Sequence, residues 1–163
     1  MSKTIVVYGS STGVCEAIAQ SIGDKLGADV INVTDLTKDD VESADNLVLG
    51  TSTWGAGEMQ DDWYDGVKVL KEAGLAGKKV AVFGCGDNAS YSDTFCGGMK
   101  ELYDAAEEAG ATMVGNEVPA EGYTFDGSDS FVDDHFVGLP LDDVNEDDMT
   151  DARIEAWLPT LGF

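Results

Sequence analysis

Between the β-branched run at residues 4–8 and a helical pattern stand Ser10, Ser11, Thr12 and Gly13. Hydroxyl and small residues at a strand-to-helix turn offer successive backbone N–H groups, and the helix macrodipole adds partial positive charge. Such a turn can receive a phosphate dianion without help from a cation, and residues 8–20 contain no lysine or arginine. The same residue types also make an ordinary capped turn, so this loop alone leaves both readings open. A nucleoside-triphosphate loop is excluded, because Val14 and Cys15 follow Gly13 where Lys and Ser or Thr are required. The turn also lacks the dinucleotide pattern G-x-G-x-x-G. A phosphate-accepting aspartate has no place either: Tyr8-Gly9 and Gly50-Thr51 occupy the strand ends that would carry carboxylates.

Two further loops carry aromatic groups. The stretch GTSTWGAGEMQDDW, residues 50–63, sets Trp54 in a glycine-rich segment read as a loop of high backbone freedom. The stretch GCGDNASYSDTF, residues 84–95, sets Tyr91 in the corresponding loop one strand along. A lone tryptophan usually belongs to a core or a rim. Two aromatics on neighbouring loops beside a phosphate turn can instead cover both faces of a planar ring.

The elements that must position these loops alternate. Strand patterns occur at 4–8, 29–33, 46–50, 79–84 and 112–115. Val14, Ile18, Ile22 and Leu26 recur every four residues, and Gly27 ends that helix. A second helix is expected over about 61–74, with Trp63, Val67 and Leu70 inward. A third carries Phe95, Met99, Leu102, Ala106 and Ala109, closed by Gly110, and a last one over about 150–161 carries Ile154, Trp157, Leu158 and Leu161. Alternation of this kind implies right-handed crossovers and an α/β fold, a doubly wound five-stranded parallel sheet of order 2-1-3-4-5. Residues 119–138 break the rhythm and read as an insertion that splits the fifth strand, with FVGLPL, residues 136–141, resuming it. The whole chain, 1–163, is expected to form one domain. Ligands of such sheets sit beyond the carboxyl ends of the strands at the switch point, where these three loops start.

Charge narrows the partners. Thirty-two acidic residues face 9 basic ones, for a net charge of −23 and a pI near 4.1. That balance repels nucleic acid and anionic membranes and attracts basic protein surfaces, although salt adaptation or solubility would leave the same mark. Cys15, Cys85 and Cys96 are odd in number and lack CxxC spacing, so reduced thiols in a cytoplasmic protein are expected rather than disulfides. With His135 as the single histidine, no metal site is expected, and His135 is expected at the surface. No apolar run is long enough to span a bilayer, and no secretory signal is expected.

Taken together, GSSTG after the first strand, STWGAGEMQDDW after the third and GCGDNASYSDTFC after the fourth resemble the three FMN loops of the flavodoxins. The stretch from Glu121 to Leu158 resembles the insertion and final helix of the long-chain subgroup. The resemblance implies a flavodoxin-like fold, bound FMN, and a soluble low-potential one-electron carrier. By it, Ser10, Ser11, Thr12 and Gly13 hold the phosphate, continued by Val14 and Cys15 where the family usually has Asn-Thr. Cys15 is a poorer hydrogen-bonding partner than threonine. Ser52 and Thr53 lie toward the phosphate and ribityl chain. Trp54 stacks on the inner face of the isoalloxazine and Tyr91 on the outer one. Gly55, with Ala56 and Gly57, matches the segment whose carbonyl turns toward flavin N5, a turn that glycine leaves sterically open. Cys85, Gly86 and Asp87 approach the pyrimidine end, and Asp93, Phe95 and Cys96 complete the third loop.

Glu58, Asp61, Asp62, Asp87 and Asp93 also lie in the two ring-binding loops. The fully reduced flavin is an anion, which these carboxylates oppose. One charge at about 8 Å in an effective dielectric of about 20 costs on the order of 2 kcal/mol before screening, or roughly 90 mV per electron. Implied partners are reductases and electron acceptors with basic docking surfaces, met by a monomer. The alternative is a flavodoxin-like NAD(P)H-dependent quinone or azo reductase, which the lack of a basic nucleotide-phosphate site disfavours. A third reading is a dedicated protein partner such as the flavodoxin-like activators of ribonucleotide reductase. Those tend to lack this insertion. No residue set suits substrate catalysis.

Overall fold

The computed structural model describes residues 3–9, 14–54, 58–59, 62–85, 98–115, 118–119, 131–132, 135–141 and 149–161. Strand β1 (Thr4–Gly9) leads to helix α1 (Val14–Leu26), then to β2 (Asp29–Asn32). A 3-10 turn over Val33–Asp35 and a short helix α2 (Lys38–Ser43) return the chain to β3 (Asn46–Trp54). Strand β4 (Glu58–Met59), helix α3 (Asp62–Ala73), strand β5 (Lys79–Cys85) and helix α4 (Gly98–Glu108) follow. The remaining elements are β6 (Thr112–Met113), β7 (Val118–Pro119), β8 (Phe131–Val132), β9 (His135–Phe136), β10 (Leu139–Leu141) and α5 (Thr150–Trp157).

The parallel sheet runs β2-β1-β3-β5-β10. Strand β6 also pairs in parallel with β5, at Lys79 and Val80, while β10 pairs further along at Phe83, Gly84 and Cys85. These two strands share the fifth position, and the chain between them leaves the sheet. That is the expected order 2-1-3-4-5 with its last strand split. Re-entry is later than the sequence suggested: Phe136 pairs within a separate antiparallel sheet of order β7-β9-β8, and β10 begins at Leu139. Gly138 stands at the crossing, where an added Cβ would lie 2.2 Å from the Val82 carbonyl oxygen. A side chain there would push β10 off β5.

Period-two alternation divides the core between the two faces of the sheet. Ile5, Val7, Leu47, Leu49, Val80 and Val82 face α2, α3 and α4, against Val41, Trp63, Leu70, Leu102 and Ala106. Val6, Tyr8, Val48, Ala81 and Phe83 face α1 and α5, against Ile18, Ile22, Ile154 and Trp157. Among the described residues the helix faces read from spacing are buried or partly buried, while Phe95 lies outside them and α4 begins at Gly98. Gly27 and Gly110 close α1 and α4 with φ of 65° and 102°, the left-handed region that glycine enters without a Cβ clash.

Helix α2 was not anticipated. It has six residues and buries only Val41, too little to set up a periodic stripe. Its local signal is the capping box, in which Thr37 accepts from the Asp40 amide and Asp40 accepts from the Thr37 amide. Lys78 closes the other end by donating from Nζ to the carbonyls of Ala44, at 2.5 Å, and Glu42, at 3.2 Å. His135, expected at the surface, is partly buried in β9, and its Nδ1 is buried with no hydrogen-bond partner. Strand β9 is the central strand of its small sheet, paired with β7 on one side and β8 on the other.

Candidate functional site

Strands β1, β3 and β5 lie side by side, and their carboxyl ends are level. Gly9 is in register with Thr51, Thr51 with Gly84, and Ser52 with Cys85. All three loops singled out by sequence therefore leave from one end of the sheet, from neighbouring strands. Leu141 of β10 is in register with Cys85 and brings a fourth chain segment to the same end.

Helix α1 begins at Val14, five residues after Gly9, and packs back along β1. Its amino-terminal amides and the positive end of its dipole therefore point to the same end of the sheet. Val14 and Cys15 belong to its first turn. Ser52, Thr53 and Trp54 form the last three positions of β3, and Cys85 the last position of β5. For these six residues the backbone is placed. Ser10, Ser11, Thr12, Gly13, Gly55, Ala56, Gly57, Gly86, Asp87, Tyr91, Asp93, Phe95 and Cys96 lie outside the described residues.

The backbone at Trp54 differs from expectation. Trp54 is not in a free loop: it pairs antiparallel with Glu58, and Thr53 pairs with Met59. The antiparallel pairing makes β3 and β4 a hairpin, with residues 55–57 between them outside the described residues. Trp54 is therefore held by strand pairing. The hairpin is anchored from below by Trp63, fully buried in the first turn of α3, whose Nε1 donates to the Gly50 carbonyl at 2.6 Å. On the other face of the sheet, Gly50 makes room for Phe83. A Cβ there would come within 2.0 Å of the Phe83 ring.

Two residues that sequence reasoning passed over also lie here. Tyr8, buried on the α1 face, donates from its hydroxyl to Glu16 Oε2 at 3.2 Å. Burial is the main cause raising the Tyr8 phenol above its ordinary value, and the Glu16 carboxylate adds to it as hydrogen-bond partner and as charge. No local spacing rule joins residues eight apart across a turn, so this contact needs the helix to fold back. Lys100, in the first turn of α4, is a cation at this end, and Asp104 holds its Nζ at 2.5 Å. Among the described residues no group of three or more His, Cys, Asp or Glu is arranged to hold a metal ion.

The described residues thus bring the ends of β1, β3 and β5 and the anion-favouring amino terminus of α1 to one end of the sheet. Comparison with known proteins agrees with this arrangement. A model of the flavodoxin family matches residues 6–157. Flavodoxin 1 of Escherichia coli (strain K12) is 43% identical over 162 residues, covering 97% of this chain and 92% of that protein. Flavodoxin 1 of Azotobacter vinelandii is 38% identical over 168 residues, covering 99% and 96%. Among solved structures, a mutant of Fusobacterium nucleatum flavodoxin bound to flavin mononucleotide superposes with a TM-score of 0.90 at 30% identity, over 99% of this chain and 96% of that one. The chain belongs to the flavodoxin family.

Proposed function

We propose that the protein is a soluble, low-potential one-electron carrier that binds FMN non-covalently and turns over no substrate of its own. The observation that carries this reading is the level register of β1, β3 and β5, which starts all three candidate FMN loops at one end of the sheet in a member of this family. The donor set suits the group. A phosphate ester meets hydroxyls, amides and the α1 terminus rather than a cation, and one aromatic from each of two loops suits a planar ring.

Ser10, Ser11, Thr12 and Gly13, with the amides of Val14 and Cys15, would hold the phosphate, and Ser52 and Thr53 the ribityl side. Trp54 and Tyr91 would enclose the ring and exclude water from it, with Gly55 to Gly57 at one edge and Cys85, Gly86 and Asp87 at the pyrimidine end. Asp93, Phe95 and Cys96 would close the third loop. Bound FMN supplies the one-electron redox chemistry, and the protein sets its potentials and exposes one edge. Carboxylates at Glu58, Asp61, Asp62, Asp87 and Asp93 raise the energy of an anionic reduced ring and so lower its potential.

The chain acts as one FMN-binding domain, a monomer in the cytoplasm, and meets redox partners through their basic surfaces. A net charge of −23 supports that choice of partner. No helix among the described residues is long and apolar enough to cross a membrane. The test is reconstitution of apoprotein with FMN, followed by assay with NADPH and a quinone. One FMN per chain and no steady-state NADPH oxidation are expected. Sustained oxidation by the isolated protein would move it to the reductase class.

A further inference from the structure

We propose that Tyr8 and Glu16 are positioning residues at the start of α1, and that the Tyr8 hydroxyl keeps the Glu16 carboxylate away from the amino-terminal amides of that helix, which receive the flavin phosphate. The inference rests on the FMN reading above.

Val14 is the first residue of α1, which makes Glu16 the third. A glutamate at the third helical position is placed to reach back and accept from the amide at the helix cap. In most helices that contact is stabilising. Here it would place a carboxylate on the amides that a phosphate needs, in direct competition with it. The structure directs Glu16 elsewhere: its Oε2 accepts from Tyr8 at 3.2 Å.

Tyr8 is a rigid anchor for this purpose. Its backbone pairs with Asn32 on one side and Gly50 on the other, and the residue is 7% exposed. Its phenol is shifted upward by burial and by Glu16, so the hydroxyl stays protonated and donating through neutral pH. Glu16 by contrast is exposed and can swing. At 3.2 Å the bond is at the long end for a hydroxyl and a carboxylate, so the expected effect is modest.

The test compares apoprotein affinity for FMN and for riboflavin, which lacks the phosphate, by quenching of flavin fluorescence in wild type, Tyr8→Phe, Glu16→Gln and the double variant. Tyr8→Phe frees the carboxylate, so FMN affinity should fall about three- to tenfold while riboflavin affinity stays within about twofold. Glu16→Gln alone leaves the core intact and should bind FMN as tightly as wild type or up to about threefold tighter. In the double variant FMN affinity should return to within about twofold of wild type, because the competing charge is gone. Equal losses for both flavins, no loss in Tyr8→Phe, a loss in Glu16→Gln, or no recovery in the double variant would each overturn the proposal. If folded wild type fails to bind FMN, the cofactor reading falls with it. If wild type binds FMN tightly and the variants behave otherwise than stated, only the positioning role falls.

Discussion

The two ends of the parallel sheet use the same strands for opposite purposes. At the amino end, main-chain and side-chain groups close on one another. The Lys3 amide donates to Asp45 Oδ2 at 2.9 Å, Asn46 Nδ2 to Thr4 Oγ1 at 3.2 Å, and the Lys79 amide to the Asp45 carbonyl at 3.2 Å. Lys78 ties in the end of α2. Lys3, Lys25, Lys71, Lys78 and Lys79, five of the chain's 9 basic residues, gather at this end. At the carboxyl end the segments 10–13, 50–63 and 84–97 contain no lysine or arginine in sequence, and Lys100 there is held by Asp104. Parallel strands leave this division open because every crossover returns through the bottom of the sheet and every ligand loop starts from the top. One end is closed by its own hydrogen bonds, and the other is where the proposed FMN loops depart.

Substitutions can break that division from either side. The largest effect is expected at Trp63, which sits between the halves. Trp63→Ala leaves a cavity under β3 and removes the donor to Gly50, and chemical denaturation should show a loss of about 3–5 kcal/mol. FMN binding should weaken too, because the hairpin that ends β3 loses its support. Trp54→Ala, at the end of β3, should act on function alone. FMN affinity should fall by about 1–3 kcal/mol, five- to 150-fold, and the potential of the second reduction should rise, with apoprotein stability nearly unchanged. Unaltered affinity and potential would remove Trp54 from the site.

Lys78→Met is the converse case. Loss of the bonds to Ala44 and Glu42 should cost about 1 kcal/mol of stability, with FMN affinity and potentials as in wild type. A shift in potential would mean that the ends are coupled. The smallest effect is a pH signature of Tyr8. Its folded value is raised, so its contribution to stability is complete below pH 10 and is lost as pH rises through the folded value. Denaturation midpoints followed into alkali should fall more steeply in wild type than in Tyr8→Phe.

Much of this was legible from residue types. Runs such as TIVVY and KVAVFG are β-branched and apolar enough to mark central strands, and Ile18, Ile22, Leu70 and Leu102 repeat at helical spacing because one face of each helix is buried. What escaped was too short to carry a period. Helix α2 buries one side chain, and β4, β7, β8 and β9 have two residues each, too few to show an alternation. At the site, the three loops could be ordered by motif, but the strand pairing of Trp54 with Glu58 and the bond from Tyr8 to Glu16 depend on how the chain turns back. Partial burial of His135 depends likewise on an antiparallel sheet with no sequence signature.

The central claim is that the carboxyl end of this sheet holds FMN and divides its two reductions. Stepwise anaerobic reduction of the FMN-loaded protein, followed by absorption and electron paramagnetic resonance, tests it most directly. The account predicts that a one-electron-reduced radical with long-wavelength absorption accumulates, followed by a second step at markedly lower potential. Conversion in a single two-electron step with no radical at any stage would contradict it.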